Sequence, residues 1–292
     1  MSVIYGTNVD STYSRFFEPN LYFNSWLIPE ISYTNKHQNG PAGAILIHRF
    51  DNFAAAAPGK PGRDFEHTNA TNDVISIALN NNYQKSRKLY DVEINAIGAA
   101  LAEESLAAAT EEVRMGREQS ALAALLCEGS EGLAEAITAD NVKQVILAER
   151  QAMIEESGYA DIILASPATY TALLTNSGRD FTPMQNEKVQ MEGRVGKWYG
   201  FTVFECNGLS SKNPAVYYDC DGKESIVSAE ELALVDFIMY NSQAFSVVDN
   251  LSRYKLQDGG VIFNGVAAQV EVNTGFRVTN PVLARVHRHA AE

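Results

Sequence analysis

The chain has 292 residues, of which 46% are hydrophobic and 20% are charged, and its formal net charge at pH 7 is -13. This size predicts a substantial core in one domain or two small ones, and the lack of an apolar run of about 18 residues predicts no membrane span. The negative charge without a lysine and arginine cluster argues against tight binding to a nucleic-acid backbone, which cations drive by releasing counterions. The first residues have no basic patch before an apolar stretch, so no secretory signal is predicted.

Residues 1–40 are rich in aromatic side chains and in Asn, Ser, Pro and Gly, without a lasting helical or strand period. Aromatic side chains usually need burial. Composition leaves two alternatives open, because the segment can pack on its own domain or form an extended arm that is buried on a neighbouring molecule. The candidates for contact with a neighbour are Phe16, Phe17, Tyr22, Phe23 and Trp26.

Strands are predicted at residues 43–51 and 72–80, where apolar residues cluster and Ile77 and Leu79 alternate with polar ones. The stretch of about twenty residues between them has a tip that combines Gly and Pro with basic side chains, Pro58, Gly59, Lys60, Pro61, Gly62 and Arg63. This pattern predicts a long hairpin. A two-stranded ribbon is marginal alone in water, so the hairpin needs another surface.

Residues 90–128 predict one very long helix that opens at Asp91 and ends at Glu128, weakened locally by Gly98 and Gly116. It would span roughly 50–55 Å, which is longer than a small domain is wide. Two acidic pairs lie along it, Glu103 with Glu104 and Glu111 with Glu112. Its apolar residues recur at about helical spacing, at Ile94, Ile97, Leu101, Val113, Leu122, Leu125 and Leu126.

A compact α/β unit is predicted from about residue 133 to 235. Its elements are a helix at 139–157, a strand at 161–165, a short helix at 167–174, a loop-like stretch at 175–197, and strands at 198–205 and 215–219. Thr138 is expected to cap the first helix and Gly158 to end it, while Ser166 before Pro167 is typical of a helix start. The buried face of the first helix is predicted to carry Val142, Val145, Ile146 and Met153.

Three alternating stretches follow, at residues 236–256, 266–278 and 282–289, with Gly275 and Pro281 as interruptions. They predict an antiparallel sheet.

This order of elements resembles the major capsid proteins of tailed double-stranded DNA bacteriophages, which have the Hong Kong ninety-seven fold. Asp161-Ile-Ile-Leu-Ala-Ser-Pro resembles the family's strand that runs into a Pro-started helix, and Gly196-Lys-Trp-Tyr-Gly-Phe-Thr-Val-Phe-Glu resembles its glycine-flanked apolar strand. Residues 74–91 resemble the strand that leads into its spine helix, and residues 265–281 its closing strands. An unrelated α/β protein has no reason to share all four blocks in this order, and they cover nearly the whole chain.

The resemblance implies an α+β fold with five parts: an N-terminal arm at 1–40, an extended β-hairpin loop at 41–88, the spine helix of a peripheral domain at 89–132, an axial domain at 133–235, and C-terminal strands, mostly of the peripheral domain, at 236–292. It implies that copies of the chain self-assemble through pentamers and hexamers into an icosahedral head, which encloses DNA without sequence-specific binding. We expect a virion protein, assembled in the cytoplasm of a host bacterium, with no enzymatic activity and no cofactor.

Because the arm begins at Met1 and is short, we expect a separate scaffolding protein, with a portal and a decoration protein as further candidate partners. No covalent cross-link is predicted, since Lys60 is one lysine among many. We hypothesise that Lys60 and Arg63 at the hairpin tip pair with acidic spine residues of a neighbouring copy, at Glu103, Glu104, Glu111 or Glu112.

Residues 219–230 have the spacing of a calcium loop, with Asp219, Asp221 and Glu230 at positions 1, 3 and 12. Lys223 and Glu224 stand where a ligand and a glycine are needed, so an acidic turn before a short helix capped by Ser228 is predicted instead.

The remaining chemistry-bearing residues form no recognised constellation. The five histidines are scattered, and His287 and His289, on one strand face, are predicted to be surface or interface residues. The spacing of Cys127, Cys206 and Cys220 fits neither a metal nor a redox motif. Two other function classes stay open: an encapsulin-type nanocompartment shell, and an intracellular α/β enzyme with an unrecognised site.

Overall fold

The computed structural model describes residues 38–39, 44–50, 72–91, 100–156, 158–176, 182–183, 194–198, 200–210, 212–258 and 263–290. Except for residues 38–39, the predicted arm lies outside this part of the chain, and so do the hairpin tip and residues 92–99 of the predicted long helix.

The elements are, in chain order, β1 Gln38–Asn39, β2 Ala44–Phe50, β3 Asn72–Ala78, β4 Asn81–Tyr90, α1 Ala100–Glu128, β5 Ser130–Glu131, α2 Val142–Glu155, β6 Ile162–Ala165, α3 Pro167–Asn176, β7 Thr182–Pro183, β8 Arg194–Trp198, β9 Phe201–Glu205, β10 Ala215–Tyr218, β11 Glu224–Val227, α4 Ala229–Ala233, β12 Val235–Tyr240, β13 Phe245–Asp258, β14 Gly265–Val278 and β15 Ala284–Arg288. Two short 3-10 turns, Asn207–Ser210 and Pro281–Leu283, complete the set. No helix in the described ranges is long and apolar enough to cross a membrane.

The predicted hairpin is confirmed. Strands β2 and β3 are antiparallel, with Ala44 opposite Ala78 and Phe50 opposite Asn72, and β1 pairs along the other edge of β2. Residues 51–71 join the two strands, so both run toward the predicted tip.

Helix α1 lies on an antiparallel sheet in which the described strands have the order β13-β14-β4. The helix is about 43 Å long at about 1.5 Å per residue, and it ends at Glu128 as predicted. Ala109 and Val113 of the helix pack on Val270 and Val272 of β14. Strand β4, which connects the hairpin to the helix, completes this sheet by pairing along β14.

The second half of α1 is enclosed on all sides. Every residue from 120 to 126 is buried, and the apolar ones belong to one core with β9, β12 and β13. Ala121, Ala123 and Ala124 leave room for strands to approach the helix closely. The predicted apolar positions Leu122, Leu125 and Leu126 lie in this core.

A larger sheet forms the rest of the molecule, and its described strands have the order β5-β15-β12-β6-β9-β8-β7. Strands β6 and β9 are parallel, and α2 and α3 pack on the sheet over Trp198, Phe201 and Phe237. The predicted buried face of α2 is confirmed, as is the start of α3, where the Ser166 hydroxyl accepts a hydrogen bond from the Thr169 amide at 3.3 Å.

Two predictions within this unit were wrong in detail. Helix α2 begins at Val142 rather than residue 139, because Thr138 and Asn141 close a separate turn through mutual side-chain bonds. The strand predicted at 198–205 is a hairpin of β8 and β9, since Gly200 takes a φ of 91° and reverses the chain. The stretch predicted as loop therefore contains most of β8.

The alternating stretch predicted at 236–256 divides between two sheets. Strand β12 is buried along its whole length and pairs with β6 and β15, while β13 pairs with β14 on the spine. The sheet of the unit predicted at 133–235 also contains β12, most of which lies beyond residue 235, and β15, and both are interior strands of that sheet.

Candidate subunit interface

The four acidic spine residues predicted to meet a neighbour differ in what they contact. Glu112 Oε2 lies 2.9 Å from Lys85 Nζ of β4, and Oε1 accepts a hydrogen bond from Arg87. Burial opposes ionisation of Glu112, but the hydrogen bonds and charges of these two cations outweigh it and hold its pKa below the usual value. Glu112 thus ties the spine to its own sheet.

Glu111 is also engaged within the subunit, because Arg114 Nε donates to its Oε2 at 2.9 Å one turn along the helix. Glu103 is exposed and Glu104 is half-buried. Neither forms an ion pair with another residue in the described part of the chain. These two carboxylates lie about two turns before the engaged pair on the helix, and they are the ones left to pair with a cation of another molecule.

The other predicted interface residues fall outside the described ranges. They are the arm aromatics Phe16, Phe17, Tyr22, Phe23 and Trp26 and the hairpin-tip cations Lys60 and Arg63.

An exposed apolar face on the hairpin of β10 and β11 was not predicted from the sequence. Val216 is paired with Ile226 and Tyr218 with Glu224, so their side chains share one face, and Ile226 is 57% exposed. The opposite face, with Tyr217 and Val227, is buried in the core. A strand pattern that alternates between two apolar sets gives no sign of which set is solvated, which is why sequence reasoning missed this face.

A buried charged cluster lies where α2 meets β15, and it corrects the prediction for His287. This ring is fully buried and stacks on Phe237, with ring centroids 4.7 Å apart. His287 Nδ1 is 2.8 Å from Glu149 Oε1, and Nε2 is 2.8 Å from the Glu135 carbonyl oxygen. Because Glu149 Oε1 and the Glu135 carbonyl oxygen can both accept a hydrogen bond, this geometry favours the doubly protonated ring, in which both nitrogens donate.

Two further groups contact the side chain of Glu149. Arg285 Nε lies 2.8 Å from its Oε2, and the Leu133 amide donates to its Oε1. Burial alone lowers the pKa of His287, but the bonds to Glu149 and the Glu135 carbonyl, with the charges of Glu149 and Asp236, outweigh burial and raise it. A signal for this cluster was present in the sequence, since Glu149 falls on the same helical face as Val142, Val145, Ile146 and Met153.

The cluster holds charges in a fixed arrangement, and its geometry is that of a packing contact rather than a reactive centre. Among the described residues, no group of three or more His, Cys, Asp or Glu side chains is placed to hold a metal ion. Burial raises the pKa of the Cys206 thiol to about 12, so it stays protonated at neutral pH.

The calcium-like segment, residues 219–230, begins in the turn after β10 and runs through β11 into the start of α4. Asp219 Oδ1 accepts hydrogen bonds from the amides of Asp221 and Lys223, both at 2.9 Å, and Gly222 turns the chain with a φ of 75°. The following helix α4 has the predicted cap, in which Ser228 and Glu231 bond to each other's backbone amides. The acidic turn predicted from the sequence is confirmed.

A scan against protein-family models finds no match, and neither does a search of curated proteins. Solved structures do match. The capsid of cyanophage P-SCSP1u aligns with a TM-score of 0.67 at 13% identity over 90% of this chain and 87% of that chain. The empty gene transfer agent (GTA) capsid aligns with a TM-score of 0.62 at 11% identity over 98% and 97%, and the mature capsid of bacteriophage PhiM1 with 0.61 at 12% over 97% and 90%.

These alignments cover nine tenths or more of this chain. The resemblance predicted from the sequence is thereby confirmed in three dimensions. The chain has the Hong Kong ninety-seven fold of tailed-bacteriophage capsid proteins.

Proposed function

We propose that this chain is the major capsid protein of a tailed bacteriophage, which self-assembles into the icosahedral shell around double-stranded DNA. The observation that carries the proposal is the fold itself, shared along almost the whole chain with proteins solved in capsids. The fold includes a long hairpin with a glycine- and proline-rich connection, a feature suited to reaching a neighbour rather than to forming a pocket.

Assembly in this proposal rests on many weak contacts between copies. Each arm and hairpin is buried on neighbouring subunits, at about 25 cal/mol per Å² of apolar surface, and contacts that close on themselves generate pentamers and hexamers. The arm at 1–40, loop at 41–88, spine at 89–132, axial domain at 133–235 and closing strands at 236–292 remain the proposed divisions. No catalytic step is assigned to any residue.

The proposed partners follow from the same role. They are other copies of the chain, a separate scaffolding protein, a portal and a decoration protein, in a virion assembled in the bacterial cytoplasm. A net charge of -13 suits a shell wall that faces packed DNA without adhering to it.

Microscopy of the purified protein tests the proposal. We expect size-exclusion chromatography and negative-stain images to show hollow particles or ring-shaped capsomers, alone or after co-expression with the scaffolding protein. A nanocompartment would differ by enclosing a cargo protein and no DNA. A subunit that stays monomeric under all of these conditions contradicts the proposal.

Charge exchange tests the contact between hairpin tip and spine, which we now restrict to Glu103 and Glu104. The double variant Lys60→Glu/Arg63→Glu should lower the particle yield, because it places like charges opposite each other. Adding Glu103→Lys and Glu104→Lys to it should restore assembly. Lys212→Glu, on an exposed loop of the body, is the matched control. An unchanged yield in the first variant contradicts the pairing.

A further inference from the structure

The base of the hairpin is held on one side by the turn between β10 and β11. Asn81 Nδ2 donates to the Tyr218 carbonyl at 3.0 Å, and the Tyr218 amide donates to Asn81 Oδ1 at 2.8 Å. Asn80 Nδ2 donates to the Asp219 carbonyl at 2.8 Å. Asn81 is 3% exposed, so its amide exchanges a full pair of bonds with one residue out of reach of water.

The other side of the base rests on β13 and β14. Ile77 of β3 is fully buried against Val248. At Gly275 the two layers touch, because a Cβ there would lie 2.7 Å from the Ala78 carbonyl oxygen and 2.7 Å from Ile77 Cγ2. Any larger residue would push the hairpin base away from the sheet.

The chain changes sheet at this point. Strand β3 ends at Ala78 in the hairpin sheet, and β4 begins at Asn81 in the spine sheet, where Asn81 is paired with Thr274 next to Gly275. The residues that set the angle between the two sheets are therefore held on one side by the β10–β11 turn and on the other side by β13 and β14.

We propose that Asn81, assisted by Asn80, is a positioning residue that locks the hairpin base to the β10–β11 turn. The direction in which the hairpin leaves the body is then set within the subunit before any neighbour binds. That this direction matters for shell formation rests on the proposed function.

A cysteine in the same contact reports whether the lock is closed. The Cys220 thiol donates to the Ser76 carbonyl of β3 at 3.4 Å, and Arg277 Nη1 lies 3.1 Å from its sulfur. Cys220 is half-buried in this contact, and opening the base would expose its thiol further. Cys127 is exposed, so its alkylation rate is the reference for an accessible thiol. Cys206 is buried, so its alkylation reports global unfolding.

The experiment measures the alkylation rate of each cysteine by peptide mass spectrometry in unassembled subunits of the whole chain. In Asn81→Ala and Asn81→Asp, Cys220 should react about tenfold faster. Alanine removes both bonds to Tyr218, whereas aspartate keeps the acceptor but places a carboxylate oxygen against the Tyr218 carbonyl oxygen. The matched control is Asn82→Ala, which truncates the neighbouring exposed asparagine, whose side chain donates to Glu271 Oε1 at 3.5 Å. Cys220 in this variant should react at the wild-type rate.

An unchanged Cys220 rate in a folded Asn81→Ala subunit overturns the proposal. If Asn81→Ala unfolds, Cys206 will react as well, and the test then uses Asn80→Ala, which removes a bond at the surface. In that variant, a faster alkylation of Cys220 alone supports the lock. An unchanged alkylation rate of Cys220 overturns it.

Assembly supplies an independent second result. If the wild type forms particles, Asn81→Asp should reduce their yield several-fold and Asn82→Ala should not. An opened Cys220 site with normal particle yield overturns the positioning role. Failure of the wild type to assemble counts against the proposed function only, because the alkylation rates still decide whether the lock exists.

Discussion

At the residue scale, the buried charges of this protein stabilise one arrangement of the chain. Glu149 on α2 meets His287 and Arg285 on β15, and the His287 ring reaches the Glu135 backbone before α2. Gly132 is needed nearby, since a Cβ there would lie 2.5 Å from Glu149 Oε1. Replacing His287 or Arg285 by a residue of a different shape or charge would leave the buried Glu149 without one of its partners, which costs several kcal/mol.

The raised pKa of His287 predicts a pH dependence of stability. The pKa of His287 is raised in the folded protein, so its contribution is fully present below the pKa of the unfolded chain, about 6.5, and is lost as the pH rises through the folded pKa. Urea unfolding at pH 6 and pH 9 should give a smaller free energy of unfolding at pH 9.

His287→Gln should remove most of that pH dependence. The groups that face the ring are Glu149 from α2 and Asp236 from β12, with Arg285 and His289 nearby. His289→Gln is the matched control, because His289 is partly exposed and contacts Asp236 alone in this cluster, with 3.1 Å between Nδ1 and Oδ2. Equal slopes in wild type and His287→Gln would exclude this assignment.

At the element scale, the two parts of α1 differ in how much of their surface is packed against strands. Up to about residue 119 it buries one face on β14, whereas residues 120–126 are surrounded by strands. Arg288 Nη2 donates to the Leu126 carbonyl at 2.9 Å, and Glu128 accepts from the Val278 amide at 2.7 Å, so the helix end is fixed to both sheets.

Leu125→Ala should therefore destabilise the subunit by about 2–5 kcal/mol, since Leu125 is fully buried and the enclosing strands cannot close the cavity. Leu133→Ala, an identical truncation at a side chain that is 41% exposed, should cost less than about 1 kcal/mol. Chemical unfolding of unassembled subunits measures both. Similar losses in the two variants would contradict the enclosed packing.

The spine, hairpin strands and caps could be predicted because their signals are local. Ser228, Ser166 and the alternation at Ile77 each act within a few residues of the chain. The β8–β9 hairpin was missed because Gly200 makes a tight reversal between two apolar strands, and the pattern on either side reads as one strand. Nothing local marks that a single glycine will take a positive φ.

At the scale of the whole molecule, the sheet partners were the part that the sequence did not reveal. Strand β12 lies between β6 and β15, and β4 pairs with β14 across about two thirds of the chain. Such pairings depend on which surfaces meet after collapse, and a pattern of alternation cannot tell one sheet from another. The contacts of the acidic spine residues could not be predicted for the same reason, since the partners of Glu112 lie on strand β4.

The arm predicts a separation between folding and assembly. Replacing Phe16, Phe17, Tyr22, Phe23 and Trp26 by serine should abolish particles and leave the melting temperature of the subunit within about 2 °C of wild type, if neighbours bury these side chains. Tyr159→Ser, at an exposed aromatic of the body, is the control.

Two results would contradict this assignment. A melting temperature lowered by about 10 °C or more would mean that the aromatics pack on their own subunit. A normal particle yield together with an unchanged melting temperature would mean that the aromatic side chains contribute neither to assembly nor to folding of the subunit.

The position of β15 in its sheet also has a consequence for synthesis. Residues 284–288 lie between β5 and β12, although they follow every other strand of that sheet in the chain. A ribosome therefore releases β5, β6, β9 and β12 before β15, and the sheet stays incomplete until residue 288 has been translated. A nascent chain that lacks residues 284–288 leaves the edges of β5 and β12 that would face β15 without their hydrogen-bonding partner.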